Sequence, residues 1–179
     1  MGSANLFILT GAPGSGKTAI LDRIGDGIRR VGEPAREILA EQRAAGGAGT
    51  PDRDPSSFVD LLLRRSIDKY ETARGWEEPV VFDRGMPDCV AYAVLLGSDP
   101  RASLAACERY RYHPEVLVVE PWEEIYVTDA ERTMSFADTI PFHAALVDAY
   151  ERAGYSLVQV PRDSVENRAA FVRDLVGGR

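Results

Sequence analysis

The chain is predicted to be an α/β protein in three layers, a parallel sheet with helices on both faces. Three observations carry this reading. Short apolar runs alternate along the whole sequence with stretches of helical periodicity, the pattern of strands buried on both sides. The first run, Leu6-Phe7-Ile8-Leu9, leads directly into Gly11-Ala12-Pro13-Gly14-Ser15-Gly16-Lys17-Thr18, which fits G-x-x-x-x-G-K-[ST]. A later run, Val80-Val81-Phe82, ends on an acid, Asp83, where a strand of such a sheet would meet its ligand.

Strands are expected at 5–10, 30–33, 79–83, 115–120 and 156–160, the second being a weak one. The first helix is expected at 17–29, where Ile20, Leu21, Ile24 and Ile28 recur at helical spacing. A second helix follows at 34–45. In the third, 56–74, Phe58, Leu62 and Tyr70 share a face with Val59, Leu63 and Ile67 beside them, and Asp54-Pro55-Ser56 is its start signal. Helices at 86–97 and 101–111 are divided by Gly97-Ser98-Asp99-Pro100, with Asp99 as the cap and Pro100 in the first helical position. Helices at 139–153 and 163–176 complete the chain. Ala44 to Pro51, rich in small residues, is expected to be a mobile connector.

At 179 residues and 45% hydrophobic, the chain supports one substantial core, and residues 1–179 are read as a single domain. A net charge of -7 with arginines scattered among acids argues against a nucleic-acid surface. Cys89 and Cys107, the only two cysteines, suit neither a disulfide scaffold nor a paired-cysteine metal site, and are expected to be reduced and partly buried. No signal-peptide pattern and no long apolar run is evident, so a cytoplasmic protein with no membrane partner is expected. A homodimer is compatible with these features.

The glycine-rich segment is read as a phosphate-binding loop. Its small residues let consecutive backbone N–H groups wrap a phosphate oxygen. Lys17 then reaches the β- and γ-phosphates as a solvated point charge, Thr18 offers its hydroxyl to Mg²⁺, and Ala19 follows in the helix whose positive end faces the same charge. Chance agreement at the four fixed positions is expected in on the order of one chain in a hundred of this length. Asp83 either joins the metal shell or accepts the proton of an attacking hydroxyl, and Arg84 pairs with a phosphate or an anionic acceptor. Trp122, just after the fourth strand, is divided between simple packing and a place in the acceptor pocket. His113 is read as an ordinary, partly exposed residue.

Five segments together carry a family resemblance: GAPGSGKT at 11–18, GEPAREI at 32–38, FDRGMPD at 82–88, VVEPWEEIYVTDAER at 118–132 and the carboxyl-terminal VPRDSVENRAAFV. The chain resembles the AAA-domain family of small P-loop proteins related to ribosylnicotinamide kinase, over nearly its whole length. The resemblance implies the P-loop NTPase fold of nucleoside and nucleotide kinases, with a five-stranded parallel sheet in the order 2-3-1-4-5. It also implies ATP and Mg²⁺ as cofactors and a small-molecule acceptor, nucleoside-like, a sugar or an antibiotic. Carried over by residue, it places Glu33 and Arg36 on the acceptor wall, Asp83-Arg84 beside the acceptor, and Asp88 one helical turn further on. It makes 128–139 a lid, with Arg132 stabilising the transferring phosphoryl group. Phosphoryl transfer to a small hydroxylated metabolite is the resulting expectation. The alternative is an ATP- or GTP-binding switch or hydrolase acting through a partner protein. No N-K-x-D-like guanine motif occurs late in the chain, since Val160-Pro161-Arg162-Asp163 does not supply one.

Overall fold

The computed structural model describes residues 5–126 and 134–178. Among them, five strands, β1 (Leu6–Gly11), β2 (Arg29–Val31), β3 (Val80–Asp83), β4 (Glu115–Val119) and β5 (Ser156–Gln159), form one parallel sheet in the order β2-β3-β1-β4-β5. Seven helices cover it: α1 (Lys17–Leu21), α2 (Pro34–Ala45), α3 (Pro55–Ala73), α4 (Met86–Leu95), α5 (Arg101–Arg109), α6 (Phe136–Arg152) and α7 (Val165–Gly177).

The three layers follow from the alternation within each central strand. Leu6 and Ile8 of β1, Val80 and Phe82 of β3 and Val116 of β4 point into one core, which the helices α2 to α6 close. Phe7, Leu9, Val81, Leu117 and Val119 point the other way, into a smaller core under α1 and α7. β1 lies between β3 and β4, with Leu9 opposite Asp83 on one side and Leu117 on the other. Thus the loop after β1 and the acid ending β3 emerge side by side at the carboxyl edge of the sheet.

The first helix is shorter than the periodicity suggests, ending at Leu21 and not at 29. Gly25 and Gly27 both adopt positive φ, and the chain turns there toward β2. The start of α3 is as expected: the Asp54 carboxylate accepts from the Ser57 N–H at 3.0 Å and its hydroxyl at 2.7 Å. At α5, Pro100 is itself the cap residue, and the Asp99 carboxylate accepts from the Arg101 N–H at 3.0 Å. α6 begins three residues before the expected 139, because Ser135 and Asp138 form a reciprocal capping box that the sequence reading passed over. Both cysteines are buried and free. His113 is buried, not partly exposed, and its ring stacks on Phe7 with centroids 4.4 Å apart.

Candidate active site

The phosphate loop depends on glycine where backbone meets backbone. Gly11 ends β1 at φ 140°, and a Cβ there would run into the carbonyl and side chain of Val119 on β4. Gly16, at φ 85°, opens α1 beneath the guanidinium of Arg168, which a Cβ would meet at 2.8 Å. Inside the loop, the Ser15 hydroxyl donates to Ala12 O at 2.7 Å. Because α1 spans five residues, the local N–H groups at its start supply the positive field rather than a long helix.

Lys17 departs from the expected solvated charge. It is buried, and its Nζ donates to the carbonyls of Gly11 at 2.9 Å and Ala12 at 3.0 Å. Burial, reinforced by Arg84, lowers its pKa to about 8, while Asp83, Glu33 and Asp88 act in the opposite sense. The ammonium therefore rests against the mouth of the loop. A cleft of about 550 Å³ opens there, lined by Gly14, Gly16, Lys17, Thr18, Trp122 and Arg168 among others.

Arg168 went unread in the sequence. Its Nη2 donates to Ser15 O at 2.8 Å, its guanidinium lies 5.7 Å from the centre of the Trp122 ring, and its Nε is buried with no partner among the described residues. The available signal was its place on the apolar stripe of α7, one turn before the buried Val172. Trp122 lines this cleft beside the loop.

Asp83 is 4% exposed, and its Oδ1 has no hydrogen-bond partner among the described residues. Burial raises its pKa to about 6, against the pull of Lys17. The next residue, Arg84, takes φ 78°, a left-handed conformation unfavourable for a side chain with a Cβ. That turn drives its guanidinium inward, where Nε donates to Glu33 Oε1 at 2.8 Å and Nη1 to Gly11 O at 3.1 Å and Asp88 Oδ1 at 3.0 Å. Although burial disfavours its charge, Glu33 with the neighbouring acids holds Arg84 firmly protonated. Burial would likewise raise Glu33, but Arg84 and Lys17 keep its carboxyl below the ordinary range.

Asp88 is a correction. It was expected among the substrate-side residues, one helical turn beyond Asp83-Arg84, but it is 2% exposed and lies beneath the site. Its Oδ1 accepts from the Thr10 hydroxyl at 3.0 Å as well as from Arg84, and its Oδ2 accepts from the Gly85 N–H at 2.9 Å and the Tyr150 hydroxyl at 2.5 Å. A carboxylate offers about four lone-pair directions, and these four donors use them. Asp88 therefore anchors Arg84 and through it Glu33.

Glu33 and Arg36 both line a second cleft of about 650 Å³, bounded by α2, residues 46–53, Phe58 of α3, Tyr92 of α4 and Pro13 of the phosphate loop. The segment 44–51, expected to be a mobile connector, forms one wall of it. It is tied down: the Gly47 N–H donates to Gln42 O at 2.8 Å, the Gly49 N–H to Gln42 Oε1 at 3.0 Å, and Arg53 Nη1 to Gly47 O at 3.0 Å. Met134 lines the same cleft, and its carbonyl accepts from the Tyr126 hydroxyl. Of the expected lid, 128–133 with Arg132 lie outside the described residues, while Phe136 to Thr139 are the first turn of α6. His143 of α6 also went unread. Its Nδ1 is buried without a partner among the described residues, and burial lowers its pKa despite the nearby Glu120.

The residues present fit a magnesium nucleotide. The glycine cradle and Lys17 suit phosphate oxygens, and the exposed Thr18 hydroxyl with the orphaned Asp83 oxygen suits a hard cation that takes its other ligands from phosphate and water. Among the described residues, no helix is long and apolar enough to cross a membrane.

Sheet order, loop and strand-end acid together define the P-loop fold, a five-stranded parallel sheet in the order 2-3-1-4-5 with helices on both faces. A family model described as "AAA domain" matches residues 6–168, and the chain belongs to that family. No curated protein matches it by sequence. Among solved structures it is similar to the NadR protein in complex with NR, at 18% identity and a TM-score of 0.69. That match covers 98% of this chain and 50% of the other, so the chain spans about half the length of NadR. It is also similar to thymidylate kinase from Ehrlichia chaffeensis, at 16% identity, TM-score 0.61 and 97% and 99% coverage. Shikimate kinase from Acinetobacter baumannii in complex with shikimate matches at 12% identity and TM-score 0.58, with 97% and 93% coverage. At these identities the likeness is one of fold.

Proposed function

We propose that this protein transfers the γ-phosphoryl group of ATP to a small metabolite seated in the cleft beside α2. The observation that carries the reading is the adjacency, at one edge of the sheet, of a phosphate loop, a buried acid with an unpartnered oxygen, and a cleft large enough for a small acceptor. The fold likeness to kinases acting on small molecules supports the same reading.

In this reading the backbone N–H groups from Gly11 to Ala19 hold the phosphates, and Lys17 leaves the carbonyls of Gly11 and Ala12 to reach the β- and γ-oxygens. Thr18 and Asp83 would hold Mg²⁺, whose charge when bound offsets that of the phosphates. A carboxyl with a pKa raised to about 6 is also suited to take the proton of an attacking hydroxyl near neutral pH. Arg84, held by Glu33, Gly11 O and Asp88, fixes Glu33 on the acceptor wall, where that carboxylate can accept from a substrate hydroxyl beside Arg36. Arg132 is proposed to offset charge on the transferring group when the acceptor is in place.

A screen of ATP consumption over nucleosides, sugars and aminoglycosides tests the proposal. Acceptor-dependent formation of ADP with a phosphorylated product is expected. Hydrolysis indifferent to every acceptor would instead support a switch or hydrolase.

A further inference from the structure

One face of the molecule is built from α4, α5 and α6, and it shares no lining residue with either cleft. α4 packs against both of the other helices, and a furrow of about 470 Å³ runs over it. Buried small or apolar side chains line the furrow, Val90 and Ala91 of α4, Cys107 of α5 and Ala149 of α6. Among the described residues, the exposed large hydrophobics are Val94, Leu95, Leu104 and Ile140, and all four belong to these three helices. Val94 and Leu104, 59% and 47% exposed, line the furrow, whereas Leu95 and Ile140 stand outside it. Single exposed apolar residues are ordinary on a protein surface, but four gathered on one face around a furrow mark a contact site.

The charges at this face indicate what covers it. Its rim carries two acids, Glu108 and Asp148, and two arginines, Arg111 and Arg152. Arg152 pairs with Asp148 at 2.7 Å, and Arg111 donates to Cys107 O at 3.1 Å and Ala153 O at 2.9 Å. A strongly charged partner therefore finds no excess here to answer its own. Two copies of a chain with 28 acidic and 21 basic residues repel in most orientations, and they meet at least cost where the charge is balanced. A twofold contact also needs one patch to supply both a furrow and the side chains that cover it, as this one does. The helices span ten, nine and seventeen residues. Side by side at a spacing of about 10 Å they offer roughly 500 Å², so two copies bury about 1,000 Å², enough for a specific interface.

We propose that two copies of this chain associate through the α4–α6 face, in a twofold contact where Val94 and Leu104 of each copy are covered by the other. None of these residues lines the two clefts, so the contact is independent of the chemistry proposed for them.

The test is sedimentation velocity on the full chain over a range of concentrations, repeated on Val94→Lys and Leu104→Glu. Both positions are exposed, and each new charge suits its place, a cation in the last turn of α4 and an anion in the first turn of α5. The unaltered protein is expected to form a species of twice the chain's mass with a dissociation constant of about 10 µM or tighter, which each variant weakens roughly tenfold or more. Leu104→Ala, which adds no charge, should shift it in the same direction. The melting temperature should rise with concentration for the unaltered protein and not for the charged variants. At high dilution all should melt alike, which separates loss of the contact from loss of the fold. A chain that stays monomeric up to about 200 µM, or a dimer whose dissociation constant none of the variants changes, overturns the inference. So does a monomer whose furrow binds an apolar dye that both charged variants release, since the face would then serve a ligand other than a second copy.

Discussion

The phosphate loop takes its shape from eight consecutive residues, whereas the wall facing it is assembled from Thr10, Glu33, Arg84, Asp88 and Tyr150, with Thr10 and Asp88 78 positions apart in the chain. On the loop side, backbone geometry does the work: glycines at positive φ, N–H groups in a row, and a thin core of α1 and α7 behind them. On the other side, side chains do it, through one buried guanidinium that three acceptors hold in place and one carboxylate that four donors saturate. The loop side should therefore lose function without losing the fold, and the network side should lose both.

Asp88→Ala gives the sharpest form of that contrast. It strips Arg84 of one counter-charge in a site closed to water and leaves the Thr10, Gly85 and Tyr150 donors without their acceptor. A loss of about 3–5 kcal/mol of folding free energy is expected, measured by denaturant unfolding. A loss under about 1 kcal/mol, the scale of an exposed pair, would show that the network is not what holds the acceptor wall. On the loop side, Lys17→Ala should lower nucleotide-dependent turnover on the order of a hundredfold or more. Its melting temperature should remain close to that of the unaltered protein, because the ammonium is itself a costly buried charge in the unliganded loop. Unchanged nucleotide binding and turnover would break the reading of 11–18 as a phosphate site.

The same contrast explains what could be read from the sequence. The sheet, its order and the loop were legible because each rests on a local signal: apolar runs such as Val80 to Phe82, a motif of fixed spacing, and a resemblance that spans the chain. Asp83 was legible as a strand-end acid. The inward turn of Arg84 was not, because it follows from a left-handed backbone at a residue with a Cβ, which no propensity announces. Nor was the burial of Asp88, since an acid in the first turn of a helix is ordinarily a solvated cap residue. The 44–51 segment reads as a flexible linker by composition. It is ordered by Gln42, a residue in the preceding helix whose role appears only once the chain folds back on it.

Asp83→Asn sharpens the boundary between the two sides, because Asp83 belongs to both: it ends β3 beside Arg84 and faces Lys17. Phosphoryl transfer should fall on the order of a hundredfold or more if the carboxylate is the base. A rate restored by high Mg²⁺ would identify it as a metal-shell residue instead. Stability gives a second readout. The folded pKa of about 6 lies above the ordinary 3.8, so the folded state binds the extra proton and the contribution of Asp83 to stability is greatest at low pH. It should decline as pH rises from about 4 to 6, by up to about 3 kcal/mol, in the absence of nucleotide. The decline should be missing in Asp83→Asn, and an identical pH profile for the two proteins would count against the buried, unpartnered carboxyl.

The smallest expected effect separates acceptor from nucleotide. Asp54 caps α3 and ends the segment that walls the proposed acceptor cleft, accepting from both the N–H and the hydroxyl of Ser57. Asp54→Ala should cost about 1 kcal/mol of stability, the usual worth of such a cap. The loosened helix start carries Phe58 in its first turn, so the 46–53 wall and the aromatic inner wall lose their shared anchor. Nucleotide affinity should be unchanged, since the hydrogen bonds of Asp54 run to Thr50, Ser57 and Phe58, whereas KM for the acceptor should rise a few-fold with little change in kcat. Equal weakening of nucleotide and acceptor would mean that the two clefts are coupled through α2, whose Arg36 lines both of them. The contrast between a backbone-built and a side-chain-built half would then give way to a single site that loosens as a unit.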